Sequence, residues 1–414
     1  MKYLAQEVGN VNNTGSDNFD GRHRPVSNLA ATTATDAIAP DKSHYVILDG
    51  LRGVASLLVI VFHLFEAYAG NDPQKQILNH GYLAVDFFFL LSGFVIAYAY
   101  DDRWARMSQW EFYKRRLVRL QPMIIIGSLI GAALFGLQHF SIFPKVATAS
   151  AWQVLAVMIV GMTMIPLPKS ADIRGWDETY PLNGPAWSLF YEYCANVLYA
   201  LVLRRLPAWL LWIVVVLSAG ALIHLAVFGA RGDLIGGWSL DFEGIRIGLT
   251  RVMFPFCAGI LLMRLGRRIR IKGAFAVSSL LLVVSLSLPR LGGTGHLWMN
   301  GLYEAVCIIL LFPLIVAIGA GEKRADGPSV RIARFFGDLS YPLYITHYPL
   351  IYIYTGWVID HQVPPATGAL IGAGVFVATV GIAYASLKLF DEPARRWLTA
   401  KILVRGKARQ AVAG

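Results

Sequence analysis

Asp49, Arg52, Ser56, His63 and Glu66 follow one another at steps of three, four, seven and three residues. On a helix those steps share one face. The stripe runs through Val54 to Leu64, a run apolar enough for a bilayer. An ionisable group at mid-depth costs roughly 2.5–3.5 kcal/mol even on insertion scales, so such a stripe faces protein or water and marks a functional site. The imidazole of His63 suits general acid–base work near neutral pH. A second deep ionisable residue, Glu192, lies on a separate apolar segment with Trp187-Ser188, Asn196 and Tyr199 at helical spacing. His63 and Glu192 are therefore the candidate catalytic pair: an imidazole and a carboxylate delivered by two helices.

Around them stand residues that could bind substrate or only support the bundle. Asp86, followed by Ser92-Gly93, either belongs to the site or pairs with a cation on a neighbouring helix. Ser188 and Asn196 could be interhelical hydrogen-bonding residues. Ser340, Tyr344 and His347 share a face of a later segment, where His347 could equally be a core histidine. Arg116 and Arg119, three residues apart before Leu120-Gln121-Pro122, have two readings of equal weight. They could signal topology, or join Arg52 in an anion site, since guanidinium groups bind phosphate in bidentate fashion.

The elements that must position these residues are membrane helices. Of 414 residues 56% are hydrophobic and only 15% charged, with mean hydropathy +0.52. A soluble domain carries about 25% charged residues. Apolar stretches fall near 46–69, 82–100, 120–137, 151–166, 186–203, 208–228, 246–263, 273–289, 299–319, 339–358 and 368–388. Most reach the roughly 17–25 residues a span needs, leaving no room for a second, soluble domain. The net charge of +11 reads as membrane topology rather than nucleic-acid binding. Cys194, Cys257 and Cys307 are scattered through apolar stretches, with neither disulfide nor metal-ligand spacing. Residues 1–44, rich in Asn, Thr, Ser, Asp and Gly, read as a disordered cytoplasmic tail. Residues 45–397 form the membrane domain and 398–414 a basic cytoplasmic tail.

Basic clusters at 103–119, 264–272, 323–334 and 395–409 all belong in the cytoplasm. Eleven spans would put 264–272 outside, whereas ten net crossings satisfy all four and keep both termini inside. The stretches 120–137 and 151–166 must then supply one net crossing between them, so one is short or re-entrant, and 166–185 faces outside. The expected fold is an all-α, polytopic membrane bundle of about ten net spans plus that segment. No internal repeat of fixed period is visible.

The ordered motifs resemble the membrane-bound acyltransferase 3 family. They are Leu48-Asp49-Gly50-Leu51-Arg52-Gly53 with His63 ten residues beyond Arg52; Gly81-Tyr82-Leu83-Ala84-Val85-Asp86 with Ser92-Gly93-Phe94; and Phe112, Arg116, Arg119 and Pro122. Pro185-Ala186-Trp187-Ser188-Leu189 with Glu192, Leu339-Ser340-Tyr341-Pro342-Leu343-Tyr344 with His347-Tyr348-Pro349, and Glu392-Pro393 complete the set. Ala84 stands where the family commonly has Gly. The resemblance implies an inner-membrane enzyme of about ten helices, in its stand-alone form without a hydrolase-like domain. It implies transfer of an acyl group, most often acetyl, from cytoplasmic acetyl-CoA or another acyl-CoA. The acceptor would be a carbohydrate or lipid-linked glycan of an exported polysaccharide or lipopolysaccharide, with no metal required.

On that resemblance His63 is the general base and Glu192 orients it or positions the acceptor. Arg52, Arg116 and Arg119 hold the coenzyme A phosphates, and Asp86, Ser92, Trp187, Ser188, Tyr344 and His347 bind substrate or support the site. Whether the acyl group rests on His63 or passes directly stays open. The alternative is a secondary transporter or flippase for a sugar, polyol or lipid, with the same stripes lining a path.

Overall fold

The computed structural model describes residues 44–70, 72–322 and 327–404. The expected N-terminal tail, apart from His44, and residues 405–414 of the basic tail lie outside them. Every regular element among the described residues is helical, as the bilayer requires: without water, backbone N–H and C=O groups must be satisfied within the segment. The helices are α1 (Val46–Glu66), α2 (Ala84–Tyr100), α3 (Gln109–Phe135), α4 (Ala151–Met162), α5 (Ala186–Leu201), α6 (Ala208–Phe228), α7 (Phe242–Leu265), α8 (Ala274–Ser287), α9 (Trp298–Val306), α10 (Phe312–Gly319), α11 (Pro328–Thr346), α12 (Tyr348–Asp360), α13 (Pro365–Ser386) and α14 (Glu392–Leu398). A π-helical turn, Cys307–Leu311, joins α9 to α10, and another, Leu387–Asp391, joins α13 to α14. Among the described residues, eight continuous helical stretches are long and apolar enough to cross a membrane, whereas α4 and α8 are shorter.

Contacts between helices set their relative directions. α1 and α11 run parallel, with Ser56 beside Ser340 and His63 beside His347. α2 runs against α1: Tyr45 meets Phe94 and Tyr98 at one end, and Phe62 meets Tyr82 at the other. α7 runs with α2, joined by Asp86–Arg251 and Asp101–Arg264. α5 does likewise, through Ser92–Glu192 and Asp101–Tyr199. α3 opposes α5, since Glu192 meets Arg116 while Tyr199 meets Phe112. α6 starts where α7 ends, where Arg264 donates to the Leu206 carbonyl. α8 begins with Phe275 against Gly50 and ends with Leu286 accepting from His80 N. The α9–α10 stretch returns from Tyr82 to Leu48. α13 starts at Tyr68, beyond the end of α1, and comes back along it past Ile60.

Helices α1, α3, α6, α8 and α11 thus run one way, and α2, α5, α7, α9–α10 and α13 the other. α4 is the segment outside this alternation. Ser150 and Gln153 form a capping box at its start, and it descends beside α3. There the Met162 carbonyl accepts from Gln121, 14 residues below the end of α3. At 1.5 Å per residue that is a dip of about 21 Å. The chain then climbs back: Leu167 N donates to the Thr179 carbonyl, Tyr180 hydroxyl to the Met164 carbonyl, and Leu182 packs against Gly131. The segment 151–166 is therefore the re-entrant one. The stretch 339–358, read from sequence as one span, is longer and bent: α11 starts at Pro328 and gives way to α12 at His347, where Pro349 cannot donate to the helix.

Candidate active site

Close approach of α1 and α11 comes from residues too small to keep them apart. A Cβ on Gly53 would sit 2.2 Å from the Phe336 carbonyl oxygen, and one on Gly50 2.6 Å from the Ala333 methyl. Ser56 Oγ lies 2.9 Å from the carbonyls of both Arg52 and Ser340, so its hydroxyl links the two backbones. Seven residues further along each helix stand His63 and His347, with ring centroids 5.6 Å apart and planes 27° from parallel. Tyr348 meets the His63 ring edge-on at 4.7 Å.

The two imidazoles are held in matching tautomers. His63 Nδ1 is 2.7 Å from Glu66 Oε2. A carboxylate only accepts, so Nδ1 carries a proton and, in the neutral ring, Nε2 offers a lone pair. His347 Nδ1 lies 2.9 Å from the Tyr344 carbonyl and 3.0 Å from that of Leu343, so it too is the donor. His347 is fully buried, and its Nε2 has no hydrogen-bond partner among the described residues. A base with a fixed tautomer and a second bare lone pair stand together at the end of α1 where Glu66 is half exposed.

Residues 45–388 match the model of an acyltransferase domain. The chain belongs to the membrane-bound acyltransferase 3 family. It is similar to the acyltransferase MdmB of Streptomyces mycarofaciens, 27% identical over 73% of this chain and 78% of that one. It is also similar to the O-acetyltransferase OatA of Staphylococcus aureus, 25% identical over 77% of this chain but only 52% of that longer protein. A third relative, protein 2 in the picA locus of Rhizobium radiobacter, is 32% identical over 38% of this chain and 81% of its own length. No solved structure matches the chain. The protein is an acyltransferase of the membrane.

In this acyltransferase, of the two roles expected for Glu192, orienting His63 does not match the contacts among the described residues. Glu192 instead accepts from Arg116 Nη2 at 2.9 Å and from Ser92 Oγ at 2.8 Å. The reason is depth: α5 brings Glu192 to the level of Arg116, at the arginine-rich end, whereas His63 lies about 16 Å from Arg52 by helical rise. The carboxylate that orients His63 is Glu66, on the same polar stripe. Arg116 is consequently buried and neutralised, and Arg52 donates to Asp49 at 3.1 Å. Arg119 keeps its charge free: no carboxylate lies within 4 Å among the described residues. Beyond the helix end, His44 meets the other oxygen of Asp49 at 3.0 Å, and that contact raises the His44 pKa.

The supporting residues form two further groups. Ser188 Oγ and Tyr344 hydroxyl are 2.7 Å apart, tying α5 to α11 one turn before His347. Asp86 forms the interhelical ion pair that was one of its two readings. Arg251 Nη2 is 2.6 Å from Asp86 Oδ2, both fully buried, with the guanidinium over the Trp187 ring. Arg251 also donates to the carbonyls of Tyr82 and Gly236, which satisfies the fork.

Sequence reasoning passed over Arg251 and Glu304, although each is an ionisable residue inside an apolar stretch and so a site candidate by the rule applied to His63. Glu304 accepts from Tyr82, Asn300 and Leu234 N, anchoring the loop before α7. Arg174, on the returning limb after α4, stacks 3.4 Å from the Tyr352 ring centroid and donates to the Pro181 carbonyl and Gln138. It braces that limb against α12.

Proposed function

We propose that this acyltransferase moves an acyl group, acetyl in size, from an acyl-coenzyme A to a hydroxyl of an exported or surface carbohydrate. The observation that carries the reading is His63, its Nδ1–H committed to Glu66 and its ring stacked, 5.6 Å centroid to centroid, on that of His347, whose Nε2 has no partner among the described residues. His63 Nε2 takes the acceptor hydroxyl's proton as the oxygen attacks the thioester carbonyl carbon. The carbon–sulfur bond breaks, and the proton on His63 passes to the departing thiolate. Acyl ester and free coenzyme A thiol are the products, and Glu66 stabilises the imidazolium between the two transfers. The stacked His347 ring offers a second acceptor nitrogen, which suits a polyhydric substrate: His63 receives the reacting hydroxyl's proton, and His347 a hydrogen bond from a neighbouring hydroxyl.

The arginine-rich end favours the phosphates of the donor, whose thioester arm then reaches about 16 Å to His63. Basic residues are retained in the cytoplasm, so this end is cytoplasmic, with both termini there and the enzyme in the inner membrane. Glu66 then opens toward the opposite face, where an exported acceptor arrives. The relative named as an O-acetyltransferase supports an acetyl group and an oxygen acceptor.

Incubating membranes with acyl-labelled coenzyme A tests the reaction. Label should pass to glycan in membranes containing the protein and not in membranes lacking it. Movement of glycan across the bilayer with no label incorporated would mean a transporter instead. Reporter fusions near Arg268 and after Val404 should report cytoplasm, and one near Asp177 the outside.

A further inference from the structure

α13 does not stop at the bundle surface. It continues through Leu387–Asp391, α14 and Thr399–Val404, so that the apolar helical stretch runs from Pro365 to Leu403. The first three turns of α3 extend alongside it. Between the two lies an open groove of about 830 Å³, with Arg115 and Arg119 on the α3 wall and Arg395 and Arg396 on the facing wall. That volume is in the range of small-molecule sites, roughly 300–1,000 Å³.

The guanidinium groups on the α3 wall of this groove are poorly compensated. No carboxylate lies within 4 Å of Arg115 or Arg119 among the described residues, and the Nε atoms of Arg115 and Arg395 are buried without a hydrogen-bond partner. Two acids stand at the groove's second wall: Asp391 pairs with Arg395 at 2.6 Å, and Glu392, itself a lining residue, is engaged by Lys388. Retention of basic residues in the cytoplasm explains arginines at this end of the bundle. It does not explain four of them converging on one groove with the buried Nε donors of Arg115 and Arg395 left unmade, where each unmade donor costs free energy. Tyr100 and Leu403 add apolar surface to the lining.

We infer that this groove is a phosphate-binding site whose second wall is the helical extension after α13, with Arg395 and Arg396 completing a cradle begun by Arg115 and Arg119. Guanidinium forks bind phosphate oxygens in bidentate fashion. Two sources share that chemistry: the nucleotide phosphates of a coenzyme A thioester and the headgroup of an anionic phospholipid. The first source rests on the donor proposed above; the site itself does not.

The test uses the full chain in nanodiscs of phosphatidylcholine, with free coenzyme A and dephospho-coenzyme A as probes, and in discs containing phosphatidylglycerol. Variants are R395Q/R396Q and, should loss of the Asp391 pair impair folding, R115Q and R396Q singly. Coenzyme A should bind the wild-type chain at least about tenfold more tightly than the variants, the loss expected for charge-assisted hydrogen bonds. Dephospho-coenzyme A should lose less. Arginine-dependent retention of phosphatidylglycerol without coenzyme A binding would keep the groove and remove the donor reading. Coenzyme A affinity and lipid retention both unchanged in the variants would overturn the groove, and acyl transfer by those same variants would leave the proposed function standing.

Discussion

His63 and His347 lie 5.6 Å apart, centroid to centroid, because two parallel helices share one register: Ser56 pairs with Ser340, and each histidine follows its serine by seven residues. Seven residues are two helical turns, so a contact that fixes the serines also fixes the imidazoles. The site is thus built by backbone proximity as much as by side chains.

That proximity can be tested at Gly53. Gly53→Leu drives a side chain into the Phe336 carbonyl, which its Cβ alone would approach to 2.2 Å. Overpacking of this kind costs about 1–3 kcal/mol, and spreading α1 from α11 should separate the histidines. Activity should fall by more than the loss of folded protein, measured as specific activity against the monodisperse fraction in detergent.

Glu66→Gln keeps an acceptor near His63 Nδ1 but removes the charge that stabilises the imidazolium. The rate constant kcat should fall by about 10-fold or more. The loss should stay below the ~10⁴-fold known for a buried triad aspartate, because the Glu66 side chain is 48% exposed and water can replace part of it. Steady-state kinetics with labelled donor reads this directly, and an unchanged kcat would remove Glu66 from the mechanism.

His347→Phe retains a ring against His63 and deletes Nε2. If that atom receives a hydrogen bond from the acceptor, KM for the acceptor should rise about 3- to 10-fold while KM for the donor stays constant. Equal changes in both constants would point to packing instead.

Much of this was legible in the sequence. The polar stripe on α1 marked His63 and included Glu66, and the charge parity required a segment between Leu120 and Pro185 that dips without crossing. What the parity could not supply was which segment. That follows from the 12-residue length of α4 and from its contact with Gln121, a tertiary fact. That Glu192 meets Arg116 rather than taking the first of its two expected roles, orienting His63, was not readable, because helical spacing fixes a residue's face but not its depth relative to a helix far away in sequence. The repeated Ser-to-His step of seven in α1 and α11 was readable and would have paired His63 with His347. The partner of Asp86 was also within reach, since Arg251 is an ionisable residue inside an apolar stretch.

Asp86 and Arg251 give a stability prediction independent of catalysis. Asp86→Asn strands a fully buried guanidinium and should cost about 3–5 kcal/mol, whereas the double replacement Asp86→Leu/Arg251→Met removes both charges and should cost less than Asp86→Asn alone. Midpoints of thermal unfolding in detergent would show the order. A double variant less stable than either single variant would mean that the pair is held by something beyond mutual compensation.

The central claim is that His63 is the base in acyl transfer, and the most direct measurement is the rate at which purified protein in vesicles moves labelled acyl from coenzyme A to the acceptor, compared with His63→Ala. The account predicts that the variant elutes and unfolds like the wild type but transfers label at least about 10²-fold more slowly. Transfer at the wild-type rate by a correctly folded His63→Ala protein would contradict it.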